Sequence, residues 1–188
     1  MSTEHTISTP VGTAQLTWFP ATIPRAVLVM GHGTATGVEA PDLQAIARAL
    51  PAAGITVALM TQPYRVDRNP AVSDEASLDI AWTATWEHIA RDETPIIAGG
   101  RSAGSQVACR TAGELGAVGV VALAYPIRGP GSPEELLRTA APTLIVQGTA
   151  DPFGTPADYP RLPPAFELVD VPGANHTFGG RNADQSGN

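Results

Sequence analysis

The chain has 188 residues and a formal net charge of −7, with 43% hydrophobic and 15% charged residues. That length and balance fit one folded domain with a substantial core and exclude a disordered chain. All eleven basic residues are arginines, scattered singly, and lysine is absent, which argues against nucleic acid or an anionic membrane surface as partner and removes Schiff-base, Walker-lysine and Tyr-x-x-x-Lys chemistries.

The chain opens with two β-rich runs, Thr6–Thr9 and Ala14–Trp18, around a turn-like Pro10-Val11-Gly12-Thr13. They predict an antiparallel hairpin at a sheet edge. Ala26 to Met30 is a continuous apolar run, as expected of a strand buried on both faces. It ends in Gly31-His32-Gly33-Thr34-Ala35-Thr36-Gly37. Leu43, Ile46, Ala47 and Leu50 share one face of a predicted helix over 41–50. Ile55–Leu59 is the next buried strand. Ser73-Asp74-Glu75 marks the start of a helix running to about Arg91, with Leu78, Ala81, Trp82 and Ile89 on one face.

Strand Pro95–Gly99 leads into Gly100-Arg101-Ser102-Ala103-Gly104 and a helix. Val118–Leu123 is a further strand. Ser132-Pro133-Glu134-Glu135 predicts a capping box, with Pro142 ending that helix. Thr143–Gln147 and Ala165–Asp170 complete the strands. The alternation predicts an α/β fold with a mostly parallel sheet, an N-terminal antiparallel hairpin and no cap domain. Residues 1–178 are expected to form one domain and 179–188 a flexible tail.

One cysteine, Cys109, permits no internal disulfide, and four histidines without Cys/His clustering give no zinc pattern, so neither metal nor cofactor is expected. Met1 to Thr6 lacks the charged and apolar regions of a secretory leader, and no apolar run is long enough to span a membrane. A soluble, cytoplasmic protein is the expectation.

Strand, G-x-S-x-G and helix together make a nucleophile elbow, whose tight turn requires glycine two residues either side of the serine, at Gly100 and Gly104. Ligands bind beyond the carboxyl ends of parallel strands, and Ser102, Asp151 and His176 all fall at such ends. Their order, Ser then Asp then His, suits acyl transfer: His176 takes the Ser102 proton and Asp151 orients the imidazole. The oxyanion donors expected are the backbone N–H of Ala103 and of Thr34 or Gly33. His32 is expected to brace that glycine loop, and Cys109 to pack against the sheet. Asp170 is a competing acid, too near His176 in sequence for the usual geometry. Gly31-x-Gly33-x-x-x-Gly37 also resembles a dinucleotide turn, but the second strand ends Leu59-Met60-Thr61-Gln62 without the acid that turn needs.

On Gly31-His32-Gly33, Gly99–Gly104, Tyr125-Pro126 with Pro130-Gly131, Gln147–Gly154 and Asn175-His176-Thr177-Phe178, the chain resembles the small α/β-hydrolases related to dienelactone hydrolase. It is most similar to a bacterial branch that also resembles the hydrolase-like domains of testis-expressed protein 30 and of a chromatin-complex subunit. The resemblance spans about residues 25–178. It implies a lidless hydrolase with Ser102 as nucleophile, Asp151 as acid and His176 as base. Two departures stand out. Dienelactone hydrolase carries cysteine at the elbow. The family's final helix after the histidine has no counterpart in the polar residues 179–188, so a homo-oligomer is an expected way to cover that face.

The function expected is serine hydrolysis of a carboxylic ester or related small acyl substrate. An interaction module on the same fold, or an acyltransferase or peptidase with the same triad, is the alternative. Residues 60–72 and the Tyr125–Gly131 loop are expected to line an open site, with Tyr64, Tyr125 and Phe153 as its walls.

Overall fold

The apolar runs become strands of one eight-stranded sheet in the computed structural model, which describes residues 2–89 and 94–179. They are β1 (Thr3–Thr9), β2 (Gly12–Phe19), β3 (Ala26–Gly31), β4 (Ile55–Thr61), β5 (Ile96–Arg101), β6 (Gly119–Leu123), β7 (Thr143–Gly148) and β8 (Phe166–Val171). Their order across the sheet is β1-β2-β4-β3-β5-β6-β7-β8. β1 and β2 form the edge hairpin, β2 is antiparallel to β4, and every later pair is parallel. His5 sits in the edge strand β1. Parallel neighbours need crossovers. Helices α1 (Pro41–Ala49), α2 (Pro63–Val66), α3 (Glu75–Ile89), α4 (Ala103–Thr111) and α5 (Pro133–Leu137) lie in them.

Alternate residues of the inner strands serve opposite faces, as the pleat requires. Leu28, Met30, Val57 and Leu59 pack with Leu43 and Ala47 of α1. Val29, Ala58, Met60 and Ala98 pack on the other face with Trp82 and Trp86 of α3, Val107 and Ala108 of α4, and Leu136 of α5. The chain reverses its winding at β3: one crossover goes to β4 and the next returns to β5. Gly31 then pairs with Gly100, so the glycine loop after β3 and the turn after β5 share the crevice at this switch point.

Several boundaries differ from the sequence reading, for local reasons. Asp74, not Ser73, caps α3: its carboxylate accepts from Ser77 N at 3.0 Å and Ser77 Oγ at 2.7 Å, while Ser73 Oγ donates to Pro70 O. Ser132 caps α5 by accepting from Glu135 N at 3.0 Å. The reciprocal half of a capping box is missing because the Glu135 carboxylate accepts from Tyr125 Oη at 2.9 Å and pairs with Arg110. That helix ends at Leu137, before Pro142. Residues 60–72 are not one continuous loop; they hold α2 and a 3-10 turn at Pro70–Val72, and Asp67 ties them to the hairpin by accepting from Thr13 N at 2.7 Å. No helix follows β8 among the described residues. The expected end of α3 near Arg91 and nearly all of the expected tail lie outside the described residues.

Candidate active site

Ser102 is the single residue between β5 and α4, at φ 52° and ψ −118°. A non-glycine residue there stores strain that its surroundings must hold. They do so by close approach. A Cβ on Gly100 would collide with the Gly104 carbonyl and Ser105 N. A Cβ on Gly104 would lie 2.5 Å from the Gly31 carbonyl and 2.8 Å from His32 O. Both glycines are needed for α4 to fold back onto β3. Ser102 N donates to Leu123 O at 2.9 Å, and Ser102 O accepts from Ser105 N at 2.9 Å and Ser105 Oγ at 2.6 Å.

Around this turn the three side chains at strand ends come together. Ser102 Oγ lies 2.9 Å from His176 Nε2, and His176 Nδ1 lies 2.8 Å from Asp151 Oδ2. Asp151 is 2% exposed. Its other contacts also come from donors: Gln147 Nε2 to Oδ2 at 2.9 Å and Phe153 N to Oδ1 at 2.8 Å. An aspartate serving only as acceptor puts the imidazole proton on Nδ1, which leaves Nε2 to accept from the Ser102 hydroxyl. Asp170, by contrast, is exposed on β8.

The loop carrying His176 is fastened by contacts among the described residues. Gly173 N donates to Thr149 Oγ1 at 2.8 Å, and Ala150 N to Ala174 O at 2.9 Å. Ala174 packs so closely on Gly148 that a Cβ there would collide with its carbonyl. Asn175 turns the loop by accepting from Thr177 N, and Phe178 packs against the core on the α1 face of the sheet.

The glycine loop after β3 faces the elbow. A Cβ on Gly33 would sit 3.3 Å from Ser102 Cβ. His32 is buried. Gln62 N donates to its Nε2 at 3.1 Å, so Nδ1 carries the proton and donates to Gly33 O at 2.7 Å. Burial lowers its pKa from 6.5 to about 4, which keeps it a neutral brace. Among the described residues no protein acceptor takes the N–H of Thr34 or of Ala103.

A cavity of about 230 Å³ opens over Ser102 and His176, with Thr34, Ala35, Pro126, Pro130, Phe153 and Thr177 around it. Phe153 is a wall, its ring centroid 4.6 Å from that of His176. Tyr125 is not. It is fully buried, its hydroxyl held by Glu135 and Ser132 O, so its neighbours Pro126 and Pro130 form that wall. Tyr64 lies outside the lining too; its hydroxyl leans on Thr34 O at 3.3 Å and its ring meets His32 edge-on. Cys109 is buried, with its thiol pushed up to about 12 by desolvation. A larger depression, about 450 Å³, lies at Thr22–Arg25 and Pro51–Gly54, near the amino ends of β3 and β4. It holds no nucleophile, and its one cation, Arg25, already donates to Ala53 O.

Four residues of the site escape sequence reasoning. Gln147 lies under Asp151, its amide nitrogen shared between Asp151 and Gly154 O and its oxygen accepting from Tyr159 Oη at 2.8 Å. Arg101 and Asp42 form a buried ion pair beneath the elbow. A charged residue at the end of an inner strand, and an amide at the end of another, were the available signals. Tyr159, in a proline-rich connection, offered none.

A strained serine after an inner strand of such a sheet, with a histidine and an acid on later strand ends, is the layout of an α/β hydrolase. The chain belongs to the alpha/beta hydrolase domain family, which matches residues 24–188. A search of curated proteins found no match. Among solved structures, it is similar to an α/β serine hydrolase without lid from Xanthomonas campestris, at 22% identity and TM-score 0.82, covering 94% of this chain and 86% of that one. It is also similar to an α/β serine hydrolase homologue from Coxiella burnetii, at 20% identity and TM-score 0.81, covering 94% and 89%. A dienelactone hydrolase from Anabaena variabilis superposes at 19% identity and TM-score 0.77, covering 95% and 88%. At these identities the likeness is one of fold. The narrower likeness to the branch of testis-expressed protein 30 rests on motifs alone.

Proposed function

We propose that the protein hydrolyses short, uncharged carboxylic esters through an acyl-enzyme on Ser102. The observation that carries this reading is the unbroken line Asp151–His176–Ser102, with contacts of 2.8 and 2.9 Å, opening into a small apolar-walled cavity. Ser102 Oγ attacks the ester carbonyl as His176 Nε2 takes its proton, and Asp151 stabilises the imidazolium. The oxyanion is received by Ala103 N–H, at the positive end of α4, and by Thr34 or Gly33 N–H across the crevice. His176 then passes its proton to the departing alkoxide. A water deprotonated by His176 attacks the acyl-enzyme, and His176 returns that proton to the departing Ser102 Oγ as the acid is released.

The substrate class follows from the walls. Pro126, Pro130 and Phe153 are apolar, and the one cation touching the cavity, Arg101, is matched by Asp42. A cavity of about 230 Å³ suits a few carbons of acyl chain, not a long lipid. A strained serine is also hard to explain in a pure interaction module, which gains nothing from the strain.

Nitrophenyl esters of increasing acyl length test this. Acetate to butyrate should turn over faster than octanoate, and Ser102→Ala should lower kcat/KM by roughly 10³ or more. Hydrolysis unchanged by Ser102→Ala would overturn the assignment.

A further inference from the structure

The residue before the nucleophile is Arg101, and only 4% of its side chain is exposed. A guanidinium that deep must be matched in charge and hydrogen bonding. Its Nε lies 3.1 Å from Asp42 Oδ2, in the first turn of α1. This contact is charge pairing without hydrogen-bond alignment, since neither Asp42 oxygen has an aligned donor. The other two arms reach two different loops. Nη1 donates to Thr36 Oγ1 at 2.6 Å, and Nη2 donates to the His176 carbonyl at 3.1 Å.

Thr36 lies on the loop that carries Gly33 and Thr34. The His176 carbonyl is the backbone of the base itself. One side chain, anchored beside Ser102, thus joins the loop facing the elbow to the loop bearing the histidine. The fit is tight: a Cβ on Gly33 would lie 2.9 Å from Nη1. Arg101 and Thr36 border the cavity, but both outer arms of the guanidinium are already engaged by protein.

We propose that Arg101 is a positioning residue: its forked guanidinium, charge-matched by Asp42, holds the oxyanion loop and the His176 loop at their working distance from Ser102. A fork is required, because a compact ammonium satisfies Asp42 or one loop but cannot span both. Misplacement of a reacting group by about 1 Å can cost on the order of 10²-fold in rate.

The kinetic part of the test rests on the ester-hydrolase reading; the exchange part does not. The full chain is compared with Arg101→Lys and with the double variant Arg101→Met/Asp42→Asn, which leaves no unpaired buried charge. Both are expected to fold. With nitrophenyl acetate, kcat should fall at least about tenfold in each while KM stays within about twofold, as for lost positioning. Backbone hydrogen exchange should quicken in 33–37 and 173–179, with β3 and β5 unchanged. If the wild-type protein hydrolyses no ester, the ester reading falls and exchange alone decides for or against the clamp. Folded variants whose two loops exchange at the wild-type rate would overturn it, as would a wild-type kcat in Arg101→Lys.

Discussion

At the scale of single residues, the site consists of donors and acceptors that leave each group one role. Asp151 accepts three times, His176 is thereby fixed as donor at Nδ1 and acceptor at Nε2, and Ser102 donates. His32 is fixed in the same way by Gln62 N and Gly33 O, and this has a consequence for stability. Its folded pKa of about 4 lies below the ordinary 6.5. Above pH 6.5 neither state holds the proton and the histidine contributes no pH dependence. Between 6.5 and 4 the unfolded chain binds a proton that the folded one refuses, so stability falls, by on the order of 3 kcal/mol in all. Below pH 4 that loss is complete. His32→Asn should flatten this part of the curve of Tm against pH; a curve as steep as the wild type between pH 6.5 and 4 would contradict it. The meeting of Ser102, Asp151 and His176 was legible because all three residues fall at strand ends in the sequence. Arg101 was not, because its partners lie 65 and 75 residues away and no local pattern encodes them.

At the scale of elements, the decisive contact is α4 against β3. A helix can approach a strand this closely only where side chains are missing from both, and Gly31 and Gly104 supply that gap. Gly104→Ala would force its Cβ onto the Gly31 carbonyl, an overpacking cost of about 1–3 kcal/mol and a Tm drop on the order of 5 °C. The rate should suffer more than Tm implies, because the shift carries Ser102 with it. Gly119→Ala, whose Cβ would meet only Pro142 O at 3.4 Å, is the matched control and should be mild. Equal behaviour of the two variants would sink this explanation of the elbow. Strand runs were legible because inner parallel strands are continuously apolar. The ends of helices were less so, since Asp74 competes with Ser73 and Tyr125 diverts Glu135 from its cap. The segment 60–72 misled because prolines and charges read as a polar loop lining the site, whereas Pro63 and Pro70 each begin a helical turn.

For the whole molecule, the alternation of strand and helix was enough to foresee the mostly parallel sheet, and the sheet order explains why residues 33, 102, 151 and 176 meet. Winding reverses at β3, Gly31 pairs with Gly100, and β7 and β8 bring the Asp151 and His176 loops to the same edge. The fastening of the His176 loop was the part least visible in the chain. It depends on Gly148 and Thr149 at the end of β7, on Phe178 and on Arg101, acting together from three separate segments. Among the described residues no helix is long and apolar enough to cross a membrane, and no cluster of His, Cys, Asp or Glu is arranged to hold a metal ion.

The most direct measurement is covalent labelling by a fluorophosphonate, with the adduct mapped by mass spectrometry. An activated serine should take up one equivalent, at Ser102, with labelling lost in Ser102→Ala and slowed by roughly 10³ or more in His176→Ala. No adduct on the folded wild-type protein, or an adduct on another residue, would contradict Ser102 as the nucleophile.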